Sequence, residues 1–455
     1  MKIKTISRSS STTSRECLGD LRPQHRNYDP QHHPHQRARE YTRAVTSVKL
    51  DRMFAKPFLG SFENGHRDGI TSTCASRNAL LPFVSGAADG ELRIWDLATR
   101  RLVADIPGAH SRAVTGLVFA NDGRLFYSCS DDGSIRSWNI ETKNPQQSYN
   151  LSTSTSTSTS TSGTFKSLDH HRSDHQFASA SDSSVDIWNP HRSSPVQSYT
   201  DLWGSDDTVC AVRYNPSERS LLAHTSMDRG VGLFDSRSGT ALKKMILAMR
   251  SNCIEWNPME PMNFVLGNED HNAYSFDMRK LDKPTMIYKG HVGAILSIGW
   301  APTGKEFVTG SYDKTIRIFP HREGRARDTY HTKRMQRVFT VNYSADNTYL
   351  VTGSDDTNLR LWKARSSQKI GQTSLREEQT MQYRQALIRK YEHLPEVRRI
   401  HKSRKLPKLI KKQTAVVQIQ KESQQRKQAN RAKYDKTGKD QFQSERKKAV
   451  VKEVE

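Results

Sequence analysis

Gly290-His291-Val292-Gly293-Ala294-Ile295-Leu296-Ser297-Ile298-Gly299-Trp300, followed by Phe307-Val308-Thr309-Gly310-Ser311-Tyr312-Asp313-Lys314 and Ile316-Arg317-Ile318-Phe319, decides the architecture. Short apolar runs separated by turn residues read as strands of a half-buried sheet. Asp313 falls in the tight turn between the second and third strands, where a carboxylate can accept backbone N–H bonds. It stands six residues before an aromatic, and that pairing recurs along the chain. The pairs are Asp89/Trp95, Asp132/Trp138, Asp182/Trp188, Asp228/Phe234, Asp270/Phe276, Asp313/Phe319 and Asp356/Trp362, with successive aromatics 43, 50, 46, 42, 43 and 43 residues apart.

Self-similarity at this period is the mark of a WD-repeat propeller, one four-stranded blade per repeat. The expected fold class is therefore an all-β, seven-bladed WD40 β-propeller with a basic, largely helical C-terminal tail. In WD-repeat proteins the turn aspartate joins the His of a Gly-His pair, a Ser or Thr and the Trp in a buried hydrogen-bonded network. Gly65-His66, Gly108-Ala109-His110 and Gly290-His291 fit that pattern, as does His331 without its glycine. The third, fourth and fifth copies have no clear Gly-His, and those blades are expected to rely more on packing. All seven aspartates are read as structural rather than catalytic.

Three regions follow: a basic N-terminal arm at 1–63, the propeller at 64–364 and a basic helical tail at 365–455. Lys56-Pro57-Phe58-Leu59-Gly60-Ser61-Phe62 has the phase of an outermost strand but no blade before it. It is expected to complete the seventh sheet and remove an open edge, in competition with Ser367-Gln368-Lys369-Ile370. The tail opens with Ser374 and Glu377 at capping-box spacing, and Met381, Leu387, Ile388 and Tyr391 recur on one helical face. From Lys408 to Lys433 there is no proline or glycine, with Ile410, Val416, Val417 and Ile419 as the main apolar residues. Such a helix has no core of its own and is expected to need RNA or another protein as partner.

Charge is unevenly placed. The net charge is +23. Residues 364–455 hold 25 Lys and Arg against 10 Asp and Glu, and residues 1–64 hold 12 against 6. The propeller is nearly neutral, and basic arms of this kind contact polyanions, most often nucleic acid. The expected contact residues are Arg398, Arg399, Lys402, Arg404, Lys405, Lys408, Lys411, Lys412, Arg431, Arg446, Lys447 and Lys448; for any one of them a solvated charge is the plain alternative. Arg398 to Lys408 also reads as a nuclear-import signal.

Other features exclude functions. Mean hydropathy is −0.79, and no run of 18 apolar residues suggests a membrane span. The start of the chain has no apolar core of signal-peptide length. The five cysteines form no CxxC, which points to a reducing compartment. Gly299 to Lys305 has phosphate-loop spacing but ends in Glu306 and sits in a hairpin. His32-His33-Pro34-His35 has no supporting carboxylate or thiol cluster. The strict Ser-Thr alternation at 152–162 is expected to be a loop. No catalytic, cofactor-binding or metal site is expected, and no small-molecule substrate.

The flanking motifs carry a specific resemblance. Asn27-Tyr28-Asp29-Pro30, Ala38-Arg39-Glu40-Tyr41-Thr42-Arg43-Ala44 and Val48-Lys49-Leu50-Asp51-Arg52-Met53-Phe54-Ala55-Lys56-Pro57-Phe58 resemble the arm of the Sof-type WD-repeat proteins of the nucleolus. Tyr383-Arg384-Gln385-Ala386-Leu387, Tyr391-Glu392-His393-Leu394-Pro395-Glu396-Val397, Ile400-His401-Lys402-Ser403-Arg404-Lys405-Leu406-Pro407, Asn430-Arg431 and Ser444-Glu445-Arg446-Lys447-Lys448 resemble their tail. The resemblance implies a non-catalytic ribosome-biogenesis scaffold of the nucleus and nucleolus. Its partners would be pre-rRNA, the box C/D small nucleolar ribonucleoprotein and proteins of the small-subunit processome. A reading of another class is a substrate receptor of a cullin–RING ubiquitin ligase. Phe234-Asp235-Ser236-Arg237 and Phe276-Asp277-Met278-Arg279 approximate the Trp-Asp-x-Arg that engages the ligase adaptor in such receptors, with Arg237 and Arg279 as candidate contacts.

Overall fold

The computed structural model describes residues 27, 29–150, 163–182, 184–200, 208–434 and 444–454. The Ser-Thr run and Cys17 lie outside them. By contact the chain divides into two compact units, residues 58–364 with 406–455, and residues 1–57 with 365–405. The division cuts the tail after Lys405 instead of keeping 365–455 together, and it joins most of the N-terminal arm to the tail's first helices.

The larger unit holds seven antiparallel sheets built in chain order, at 70–106, 114–150, 165–200, 209–247, 251–288, 295–330 and 338–363 with Phe58–Ser61. They are blades 1 to 7. Phe58–Ser61 lies antiparallel on the third strand of blade 7, Leu359–Lys363, in register Phe58↔Trp362 and Ser61↔Arg360. Residues 367–370 form no strand. In every blade the pairing of first and second strands slips one residue after its first partner, as at Ile295/Ser297. Such a bulge sharpens the twist of the inner strand. The core lies between blades: Ile316, Ile318 and Tyr330 of blade 6 meet Val338, Val341, Leu350 and Trp362 of blade 7. Close approach at the ring's junction is set by glycine, since a Cβ on Gly353 would stand 2.7 Å from Ile70 Cγ2.

The turn aspartates are all hydrogen-bonded, by different donors. Blade 2 has the full network: His110 Nδ1 lies 3.3 Å from Asp132, its Nε2 lies 2.7 Å from Ser128 Oγ, and Trp138 Nε1 donates to the same oxygen at 2.8 Å. Blade 6 repeats it with His291, Asp313 and Thr309 at 2.9 and 2.7 Å; Phe319 has no N–H to add. In blade 1, His66 reaches Ser85 at 2.6 Å, but its Nδ1 faces Glu91 at 3.4 Å, while Asp89 accepts the Glu91 N–H. In blade 7 the expectation for His331 fails. Asp356 is held by Ser354 and Arg360, whose Nη1 donates at 3.0 Å, and the buried Nδ1 of His331 takes no hydrogen bond among the described residues. His331 stands 25 residues before its aspartate, against 22 for His110 and His291, so it misses the position of the network histidine, and Arg360 fills the carboxylate instead. The middle blades use Thr164 on Asp182, Lys244 on Asp228 and Tyr274 on Asp270.

The smaller unit is helical. α1 (Gln36–Met53) packs with α2 (Leu375–Tyr391) and α3 (Pro395–His401) around Ala44, Val48, Leu387, Ile388, Tyr391 and Val397. Ser374 caps α2, accepting the Glu377 N–H at 3.3 Å. Glu40, buried on α1, receives Lys390 Nζ at 2.9 and 3.0 Å and Tyr391 Oη at 3.1 Å. Burial and this contact push the Tyr391 phenol up to about 12. The apolar face of α2 therefore has a partner within the chain. The larger unit adds α4 (Lys408–Tyr434), α5 (Glu445–Ala449) and a last strand, Val450–Val454.

Candidate functional site

The expected contact cations are distributed over both units. Arg398 and Arg399 are exposed on α3, followed by exposed Lys402 and Lys405. Arg404 differs from them. It is half-buried and donates to His401 O at 2.6 Å and Ser403 O at 2.8 Å, so it binds the turn after α3.

Lys408, Lys411 and Lys412 are exposed and share one face of the first turns of α4, at i, i+3 and i+4. No acidic residue stands in that first turn. The helix dipole is positive at this end, so the three lysines reinforce a field that favours an anion. Arg431 is roughly 30 Å further along α4 and on another face. Arg446, Lys447 and Lys448 are exposed on α5, with Lys448 Nζ donating to Gln428 at 2.6 Å. Within the larger unit, Arg431 thus stands apart from the lysines at the start of α4.

Arg237 and Arg279 occupy equivalent turns after the third strands of adjacent blades 4 and 5. Asp235 Oδ1 accepts the Arg237 N–H at 2.9 Å, and Asp277 Oδ1 accepts the Arg279 N–H at 3.1 Å. The Arg279 guanidinium also folds back on Asp277 at 3.1 and 3.0 Å. Both carboxylates are held below the usual range, Asp235 chiefly by the Arg237 N–H and Asp277 chiefly by the Arg279 side chain. Both arginines are exposed, and an exposed pair of this kind holds its cation weakly.

A cavity of about 480 Å³ sits where the first strands of all seven blades end. Arg213 Nε donates to Glu255 at 2.8 Å across its wall, and Arg77 Nη2 to Asp169 at 3.2 Å, so these charges hold one another. Among the described residues no group of three or more His, Cys, Asp or Glu could hold a metal ion, and no helix is long and apolar enough to cross a membrane. The thiols of Cys74, Cys129 and Cys253 are pushed up to about 12 by burial, which leaves them unreactive. Gly304 makes the hairpin turn of blade 6, its N–H donating to Ala301 O at 2.9 Å, far from any helix start.

The sequence reading missed α1. Tyr41, Ala44, Val45 and Val48 recur at helical spacing there, interrupted by arginines and threonines that mask the stripe. It also missed the strand at 450–454, whose five residues are too few for a period to register.

Comparison with known proteins agrees with this anatomy. The Sof1-like domain matches residues 364–450, and the WD domain, G-beta repeat, matches 57–96, 101–139, 282–319 and 327–363. The repeat matches therefore skip blades 3 and 4 and nearly all of blade 5. DDB1- and CUL4-associated factor 13 of Danio rerio is 42% identical over 455 residues, covering 100% of both chains. The Homo sapiens protein of that name is 42% identical over 451 residues, 99% of each. Protein SOF1 of Saccharomyces cerevisiae is 37% identical over 470 residues, 99% of this chain and 94% of that one. With a propeller, a Sof1-like tail and full-length relatives of this kind, the chain belongs to the Sof1-like family of WD-repeat proteins.

Proposed function

We propose that this scaffold acts as a substrate receptor of a cullin–RING ubiquitin ligase, its propeller docking the ligase adaptor through Arg237 and Arg279. The observation that carries the reading is the repeated Phe-Asp-x-Arg turn, exposed on two adjacent blades. The vertebrate relatives add support, since their names associate them with DDB1 and CUL4. Phe234 and Phe276 stand where the motif has Trp; both are buried, so the difference lies behind the turn rather than on its surface. Arg237→Ala with Arg279→Ala should abolish co-purification with DDB1 while the protein stays folded. Retention of DDB1 by the double variant rules this docking mode out.

A second reading is favoured by charge. The exposed cations of α3, α4 and α5, and the anion-favouring start of α4, suit phosphate neutralisation on RNA. In this reading the chain is a nuclear and nucleolar scaffold of the small-subunit processome. The propeller docks processome proteins, and the tail contacts pre-rRNA and the box C/D ribonucleoprotein. Similarity to protein SOF1 and the resemblance of both flanking regions support it. A truncation after Lys363 is a poor test, because it strips α1 of its helical partners as well as removing charge. Lys408→Glu, Lys411→Glu and Lys412→Glu together should cut crosslinking to pre-rRNA and release the chain from the large pre-ribosomal particle. Unchanged crosslinking and sedimentation would remove α4 from the RNA interface. The two roles rest on different residues, so one does not exclude the other.

A further inference from the structure

Among the described residues, blade 4 alone carries a fifth strand. Val450–Val454 lies antiparallel on its outer strand Thr240–Leu247, in register Lys244↔Val454, Met245↔Glu453, Ile246↔Lys452 and Leu247↔Val450. The Ala248 N–H donates to Ala449 O at 3.1 Å, and Lys243 Nζ lies 3.6 Å from Glu453. Ala449 is buried in the cluster that holds Met245, Leu247 and Leu281. Immediately before this strand, α5 grips in two directions. Glu445 takes Lys289 of the propeller on one side and Gln425 of α4, at 3.2 Å, on the other. Lys448 reaches Gln428 of α4 at 2.6 Å.

Helix α4 has little else to hold it. Of its 27 residues Ile410 alone is buried, and Leu409, Val416 and Ile419 are exposed. In proteins a helix draws most of its stability from packing an apolar face, which α4 lacks. Blade 4, in contrast, already has the four strands that suffice for the other six, so the fifth adds nothing its sheet requires. Its outer strand is eight residues long, the longest of the described strands, and offers an edge that a further strand can extend.

We propose that blade 4's outer edge is a strand-addition site whose occupant is the chain's own residues 444–454, and that this latch fixes the far end of α4 on the propeller. Release of the latch frees the basic helix without opening any blade. The inference stands apart from both functional readings, because it concerns what holds α4 and not what α4 binds.

Amide hydrogen exchange on the full-length chain and on a variant ending at Lys448 tests it. Truncation should speed exchange about tenfold in α4 and in Thr240–Leu247, with blades 1, 2, 3, 6 and 7 unchanged. Unchanged exchange in α4 overturns the proposal. A second variant, Ile246→Cys with Lys452→Cys, decides the matter if the truncated chain does not fold. The two positions face each other directly across the pair, within reach of a disulfide. Oxidation should give an intrachain crosslink that slows exchange in α4. No crosslink, or a crosslink found only between two copies, overturns the intramolecular latch.

Discussion

Blades 6 and 4 place an aspartate in the same turn and fill it from opposite directions. In blade 6, Asp313 accepts from His291 at 2.9 Å, from the Thr315 N–H at 2.9 Å and from the Val292 N–H at 3.1 Å. His291 passes the chain on to Thr309 in the second strand. In blade 4 the sequence has no Gly-His, and the residue in the place of Thr309 is His224. There Asp228 accepts the Gly230 N–H at 2.7 Å and Lys244 Nζ at 2.6 Å, the lysine reaching in from the outer strand. What the turn requires is filled acceptors on a carboxylate taken out of water. The histidine network is one way to fill them, and a buried ion pair is another.

The two solutions should respond differently to mutation. Asp313→Ala strands a histidine and two backbone donors, and should cost about 3–5 kcal/mol in urea unfolding. Asp228→Ala should cost a similar amount, because Lys244 is left buried and unpaired. Asp228→Ser with Lys244→Met removes both charges and should recover most of that loss. If the double variant is as unstable as the single, the ion pair in blade 4 is not interchangeable and the comparison breaks.

Histidine deletions sharpen the contrast at lower cost. His291→Ala should destabilise by about 2–3 kcal/mol, since it leaves Asp313 and Thr309 short of a partner in a buried site. His331→Ala, in blade 7, should cost less than about 1 kcal/mol, because Asp356 is filled by Arg360. Thermal melts of the two variants side by side distinguish them. Equal losses would mean that His331 carries a contact the geometry does not display.

Acid titration probes the same sites. Burial, then the charge of Arg93, pushes His66 down to about 4; burial, then Lys244, does the same to His224. Their folded values lie below the unfolded value of about 6.5, so the unfolded chain takes the proton first. Their contribution is full above about pH 6.5 and is lost as pH falls towards 4, by about 1.4 kcal/mol per pH unit for each histidine. Burial opposes ionisation of Asp313, yet His291 and Thr315 outweigh it and hold the carboxyl well below the usual range. That contribution is present above the unfolded carboxylate value, about 4, and fades only at still lower pH. His66→Gln and His224→Gln should each flatten the slope between pH 6.5 and 4; an unchanged slope contradicts the buried neutral histidines. The smallest stability effect belongs to Arg237→Ala with Arg279→Ala, within about 0.5 kcal/mol, because both turns keep their backbone hydrogen bonds.

The blades were legible because each is local. Its strands follow one another, its turn aspartate sits at a set distance from its aromatic, and its apolar positions alternate. The network was only partly legible. Gly-His spacing identifies the network histidine in blades 2 and 6, and His331, which stands three residues too early, does not bond its turn aspartate. The candidate surfaces were readable as charge and not as geometry. Arg404 is indistinguishable from Lys405 in the sequence, yet it is spent on the backbone at His401 and Ser403. Helix α1 was obscured because its apolar stripe is narrow and makes sense only with α2 beside it.

From its residues alone this protein was bound to be a seven-bladed propeller with basic flanks, since strand alternation, turn chemistry and net charge are properties of short segments. Tertiary structure decided what those segments join. It paired Glu40 with Lys390 across 350 residues and laid the last strand on blade 4. Such contacts join residues far apart in the chain, and a sheet edge or a helix stripe will accept any partner of matching shape. Neither leaves a period in the sequence, so the choice among partners appears only when the whole chain has folded.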